Sequence, residues 1–147
     1  MISLRPFTTN DAANIKQNQY PEMTLSDIRK MVAEWETHSH QGKRFEMYAI
    51  TVDDVVVGCV SLYERTKSVV SVGVEVYPYE RRKGYATEAM KLIMNRARAL
   101  GYRVILNQVR ADNESSIALH KRLRFETDGT VYQNAKGNDV FLYLFCL

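Results

Sequence analysis

The sequence predicts a mixed α/β domain: a twisted, mostly antiparallel sheet flanked by about four helices, with helices on both faces. Three observations carry this. Between residues 45 and 77, three consecutive segments alternate apolar and polar side chains and are joined only by short polar turns. Residues 84–100 then switch to a helical period. Beyond them, strand and helix patterns alternate to the C-terminus. A chain of 147 residues, 46% hydrophobic and 25% charged, suits a single domain over 1–147 whose core needs no disulfide or metal staple.

The elements follow in order. Residues 2–7 alternate and read as a short strand. Thr9 or Asn10 is suited to cap a helix from about Asp11, because their side-chain oxygens accept from free backbone N–H groups. A second helix begins after Thr24 or Ser26 and lines up Ile28, Met31, Val32 and Trp35 on one face. Strands at 45–52, 55–63 and 68–77 make an antiparallel meander, since their connections are too short for a parallel crossover. Asp53-Asp54 marks the first turn. In the helix at 84–100, Ala86, Ala89, Met90, Ile93, Ala97 and Leu100 share a face, and Gly101 closes it. A strand at 102–109, a helix at 114–123 capped by Asn113, and strands near 125–132 and 140–146 complete the order βααβββαβαββ.

Composition narrows the function. The longest apolar runs, 55–60 and 141–147, fall short of the roughly 18 residues a membrane span requires, and the first residues lack a charged leader followed by an apolar core. Cys59 and Cys146 each lie in an apolar run and read as buried, reduced thiols of a cytoplasmic protein. His38 and His40 have no Cys or His pair nearby, so no metal site is expected. Tyr20, Trp35, Tyr63 and Tyr132 read as core aromatics. The net charge of +3 is uneven: residues 1–60 carry 6 basic and 8 acidic side chains, and residues 61–147 carry 14 and 9. The basic second half suits an anionic ligand. Nucleic acid is a poor candidate for it, because no recognition-helix or stacking motif is present.

The segment Pro78-Tyr-Glu-Arg-Arg-Lys-Gly84-Tyr-Ala86 joins a strand to a helix N-terminus. Unpaired N–H groups there favour an anion, Gly84 and Ala86 let it approach the backbone, and Arg81, Arg82 and Lys83 add charge. Neither a Walker loop nor a G-x-G-x-x-G fingerprint is present. Arg81-x-x-Gly84-x-Ala86 resembles the (Q/R)-x-x-G-x-(G/A) acyl-CoA signature of the GNAT acetyltransferase superfamily. The segment from Asn113 through Ser116 and His120 to Phe125 is similar to that family's N-x-x-S-I-x-L-Y-x-x-L-G-F motif. Leu4-Arg5-Pro6 and the closing strands fit as well, so the resemblance covers nearly the whole chain.

The resemblance implies a GNAT-like fold with a splayed strand pair between the third meander strand and the strand after the signature helix. It implies acetyl-CoA as co-substrate. Its pantetheine arm would pair with strand backbone near Glu75 and Val76. Its pyrophosphate would lie on the N–H groups of 82–87 (Arg82, Lys83, Gly84, Tyr85, Ala86 and Thr87), with Asn113 and Ser116 nearby. An amine-bearing acceptor would enter from the other side, between the first two helices and the final hairpin.

Two side chains are candidates for the chemistry. His120 replaces the family's tyrosine, which stands near the CoA sulfur. With a pKa near 6.5, imidazole is able to protonate a departing thiolate. The other reading makes it a packing or ligand-contact residue. Glu75 shares a strand face with Ser71, Gly73 and Tyr77 and is placed to take the proton an alkylammonium must lose. The alternative is an ion pair, and the base of some family members falls nearer Ser71. Arg124 stands where the family has glycine, facing solvent or reaching a CoA phosphate. No Ser/His/Asp or Cys/His arrangement suggests a covalent intermediate.

The sequence therefore reads as a cytoplasmic N-acetyltransferase acting directly on a primary amine of a small molecule or a peptide or protein. It is expected to be a monomer or homodimer with neither nucleic acid nor membrane as partner. The alternative is a catalytically weak CoA-binding regulatory or interaction module.

Overall fold

The computed structural model describes residues 1–147. Strand β1 (Ile2–Pro6) leads through a 3-10 turn into helix α1 (Ala12–Asn18) and then α2 (Leu25–Glu36). The first helical cap differs from expectation. The turn starts after Thr8, whose N–H donates to Asp11 Oδ2 at 2.8 Å, and Asp11 is itself clamped by Arg5. Thr9 and Asn10 lie inside the turn. At α2 the predicted cap forms: Thr24 Oγ1 accepts from Asp27 N–H at 3.1 Å.

A two-residue strand β2 (Ser39–His40) pairs with the start of β3 (Lys43–Val52). β3, β4 (Val55–Glu64) and β5 (Val69–Val76) form the predicted antiparallel meander. Asp53 and Asp54 both adopt positive φ, 48° and 65°, which fits a two-residue hairpin turn. Helix α3 (Tyr85–Ala99) ends as expected at Gly101, with φ 92°. Gly101 N–H bonds Arg98 O and Tyr102 N–H bonds Ala97 O, a Schellman closure. β6 (Val104–Arg110), α4 (Glu114–Arg122), β7 (Tyr132–Gln133) and β8 (Asp139–Cys146) follow.

The strand expected at 125–132 is broken up. Glu126 makes one bridge to Leu144, and only Tyr132 and Gln133 form a strand. Asp128-Gly129 is the cause: Gly129 has φ 74°, and Asp128 accepts from Thr130 N–H and Tyr132 Oη. Tyr132 is therefore 40% exposed rather than core.

The sheet runs β1-β3-β4-β5-β6-β8-β7, antiparallel except for β5 and β6. One core lies under α3 and α4 and contains Leu62, Val72, Ile93 and Ile105. The other lies under α1 and α2, around Ile15, Ile28, Ala49 and Tyr77. Alternation along β5 thus sends Val70 and Val72 to one core and Tyr77 to the other. Of the two cysteines, Cys59 is buried and Cys146 is exposed, contrary to expectation; both are unbridged. No helix is long and apolar enough to cross a membrane.

Candidate active site

β5 and β6 pair only at Val69–Val104 and Val70–Ile105, then part. Two side chains stand in for the missing ladder. Asn107 Oδ1 accepts from Val72 N–H at 3.0 Å, and Ser71 Oγ donates to the Leu106 carbonyl. Buried backbone groups need partners, so these contacts make the split stable without a closing strand. A cavity of about 350 Å³ opens there, with Gly73 and Val74 on one wall and Gln108 and Val109 on the other.

The free edge of β5 is set by alternation. Tyr77 N–H bonds Val57 O, and the Glu75 carbonyl points at Gly58 on β4. Val74 and Val76 therefore turn their backbone toward the split. The backbone of Glu75, one of the two residues expected to pair with the cofactor, faces β4 instead, and that of Val76 faces the split. The Val76 carbonyl is already held by Arg81 Nε at 2.9 Å, so Arg81 folds back onto the strand end.

The loop before α3 carries its own signature. From Arg82 to Thr87, six successive backbone N–H groups have no acceptor within the protein; the first paired donor is Glu88, to Gly84 O. Arg82 and Gly84 both have positive φ, 65° and 80°, which turns the chain into the helix start. Open space surrounds the Gly84 Cα. Lys83 pairs with Glu80 at 2.9 Å and sits 5.9 Å from the Tyr85 ring centre. Ala86 adds no bulk. Arg122 Nη1 donates to Thr87 Oγ1 at 3.0 Å, bringing α4 and a cation to the loop, a contact the sequence did not reveal.

Helix α4 begins as predicted, with Asn113 Oδ1 accepting from Ser116 N–H at 3.1 Å. Ser116 and His120 reach the cavity from this helix. The imidazole is buried and fully engaged: Nδ1 lies 2.7 Å from the Ser116 carbonyl and Nε2 lies 3.0 Å from Asn107 Nδ2. Burial holds its pKa below the ordinary histidine value, and the Ser116 bond offsets this only in part. Phe125 and Tyr143 pack against the ring.

Glu75 is exposed and makes no ion pair, contrary to its alternative reading. It stands directly across from Cys59 in the β4–β5 register. Burial and the neighbouring Glu75 charge push the Cys59 thiol up to about 12, so it stays protonated. Asn107 was missed by the sequence reading, although an amide inside an otherwise apolar strand was the available signal. Arg65 was also missed, and Tyr63 was read as core. Both line the cavity, together with Ser61.

A family model for the acetyltransferase (GNAT) domain matches residues 2–126, and the chain belongs to that family. It is 30% identical over 115 residues to an L-methionine sulfoximine/L-methionine sulfone acetyltransferase from Pseudomonas aeruginosa, covering 75% of this chain and 66% of that protein, just under two thirds. Among solved structures, a ribosomal L7/L12 alpha-N-protein acetyltransferase in complex with coenzyme A superposes with a TM-score of 0.84 at 18% identity, covering 99% of this chain and 94% of that one. The putative acetyltransferase yncA from Salmonella typhimurium, solved with acetyl-CoA, gives 0.76 at 17% identity over 100% of this chain and 94% of that one. These likenesses show the fold.

Proposed function

We propose that the chain is a cytoplasmic N-acetyltransferase that moves the acetyl group of acetyl-CoA directly to a primary amine while both substrates are bound. The observation that carries this reading is the split between β5 and β6 lying next to the run of unpaired N–H groups from Arg82 to Thr87. An extended amide-bearing arm fits the first, and a pyrophosphate fits the second. The unbridged cysteines are in keeping with a reducing compartment.

The residues divide the work. The backbone of Arg82, Lys83, Gly84, Tyr85, Ala86 and Thr87 would hold the pyrophosphate, aided by the charges of Arg82 and Lys83. Val74 and Val76 would offer main-chain groups to the pantetheine arm, with Arg81 fixing the strand end and Asn113 and Ser116 shaping the α4 side. Acetyl-CoA supplies an activated acetyl group: a C–N bond forms as the C–S bond breaks, and the proton lost by nitrogen matches the one gained by sulfur.

Glu75, unpaired and on the α1–α2 face, is the proposed acceptor of the amine's proton, directly or through water. His120 is proposed beside the sulfur. Its bonds to Asn107 and Ser116 favour a positioning role, holding the β6 side of the cleft. Direct donation to sulfur would need the ring to release Asn107 and to carry a proton on Nε2.

That same engagement of His120 favours the second reading, a CoA-binding module with weak turnover. Incubating the protein with acetyl-CoA and a panel of amines, and reading thiol release and acetylated product by mass, separates the two. Amine-dependent product supports the enzyme; CoA binding with no product from any amine supports the module.

A further inference from the structure

Arg65 lines the cleft and has no carboxylate within ion-pair distance. It is nevertheless held in place from three directions. Its Nε donates to Ser71 Oγ at 2.8 Å, its guanidinium lies 5.9 Å from the Tyr63 ring centre, and its carbonyl accepts from Lys43 Nζ at 2.8 Å. The two terminal nitrogens of the guanidinium have no protein acceptor. An arginine fixed at Nε with its outer fork free has the geometry that binds a carboxylate through two parallel N–H bonds.

Its position excludes the CoA phosphates as that anion. The unpaired N–H groups follow Val76 at the far end of β5, and Ser71 lies five residues before Val76, about 17 Å along the strand. Arg65 stands instead near the apex of the split, where Val70–Ile105 pairing ends one residue before Ser71. Ser71, Gly73 and Glu75 share the α1–α2 face. Gly73 leaves the floor between Ser71 and Glu75 without a side chain, and the unpaired Glu75 carboxylate sits at the other end of that floor.

We propose, building on the acetyltransferase reading, that Arg65 selects the acceptor by its carboxylate, making the substrate an α-amino acid or a close analogue. The carboxylate docks on the free fork of Arg65, which leaves the adjacent amine over the Gly73 floor, on the side facing Glu75. A polyamine is disfavoured there by like charge. Tyr63 and Ser61 border the space left for the side chain.

The test pairs each standard L-amino acid and L-methionine sulfone with its own carboxamide, and adds spermidine and a neutral tetrapeptide. Acetyl-CoA-dependent thiol release is measured for wild type, Arg65→Met and Arg65→Lys. The melting shift with acetyl-CoA is read on the same proteins and reports whether the cleft is formed. The expected result is an acid preferred over its carboxamide by about tenfold or more in kcat/KM, a preference carried by KM, lost in Arg65→Met and partly kept in Arg65→Lys. An equal rate for acid and carboxamide overturns the proposal, as does a preference that survives Arg65→Met or turnover confined to spermidine or the peptide. A melting shift with no amino acid turned over overturns it and leaves the cofactor site standing. No shift and no turnover overturn this proposal and the acetyltransferase reading together.

Discussion

Asn107 Nδ2 and His120 Nε2 stand 3.0 Å apart, and this contact fixes where the imidazole keeps its proton. Asn107 presents its oxygen to the Val72 N–H, so its nitrogen must face the ring and donate. Nε2 is then the acceptor, and the ring's single proton sits on Nδ1, donated to Ser116 O. A neutral, buried ring of this tautomer has no proton aimed into the cleft.

Replacing Asn107 by Asp tests the tautomer. The variant faces Nε2 with an acceptor only, which favours a charged ring. In an NMR titration, His120 of the wild type should titrate below its ordinary value of about 6.5, and that of Asn107→Asp above it. Equal titration of the two would contradict the assignment. Stability carries the same sign. With its folded pKa lowered, His120 contributes stability that is full above about pH 6.5 and declines as pH falls below it. His120→Gln should flatten that decline.

Glu46 gives a second, separate pH window. The carboxylate is fully buried beneath α3 and accepts from Arg96, Tyr48 and Arg44 at 2.6–3.1 Å. Burial alone would raise its pKa, but the three partners outweigh it and bring the carboxyl down from 4.5 to about 2. Its stabilisation is therefore present above pH 4.5 and lost as pH falls toward 2. Glu46→Gln should cost about 3 kcal/mol at neutral pH, since both arginines keep access to water, and should remove this acid limb. Urea unfolding at stepped pH measures both effects.

Gly58 is confined by the strand that carries the site. A methyl there would overlap the Glu75 carbonyl oxygen and lie 2.9 Å from Val76 Cα. Gly58→Ala should cost about 2–3 kcal/mol and weaken acetyl-CoA binding by shifting β5. Gly73→Ala meets only Ser61 Oγ at 3.3 Å and should fold nearly as well as wild type. Thermal melts of the two variants with and without acetyl-CoA compare them.

Arg124 closes α4 with φ 65°, completing a Schellman turn through Phe125 N–H to His120 O and Arg124 N–H to Lys121 O. A left-handed residue at that position explains why the family motif places glycine there. Arg124→Gly should raise stability by up to about 1 kcal/mol, read in the same unfolding experiment.

The parts of this protein legible in its sequence were those that local periodicity and single turn residues control. The meander, helix α3 with Gly101, and α4 with its Asn113 cap fall in this class, as does the glycine-bearing loop before α3. What escaped depends on contacts far apart in sequence. Asn107 meets Val72 across 35 positions, and Arg96 meets Glu46 across 50. No periodicity encodes either contact. Arg65 carries no local signal of its own, and only the split places it at the mouth of a cavity. The strand expected through Asp128-Gly129 fails for the opposite reason: a local turn signal interrupts it.

The most direct test of the central claim is the melting shift produced by acetyl-CoA in wild type, Gly84→Ala and Gly84→Glu. Both variants bear the same backbone strain at φ 80°, and open space surrounds the position, so only the glutamate adds charge where the pyrophosphate is proposed to lie. A ligand bound only by the folded state raises the melting point by mass action. The account predicts a clear shift in wild type, a similar one in Gly84→Ala, and an affinity weakened by about tenfold or more in Gly84→Glu. An equal shift in all three would place the cofactor elsewhere, and no shift in wild type would contradict the account.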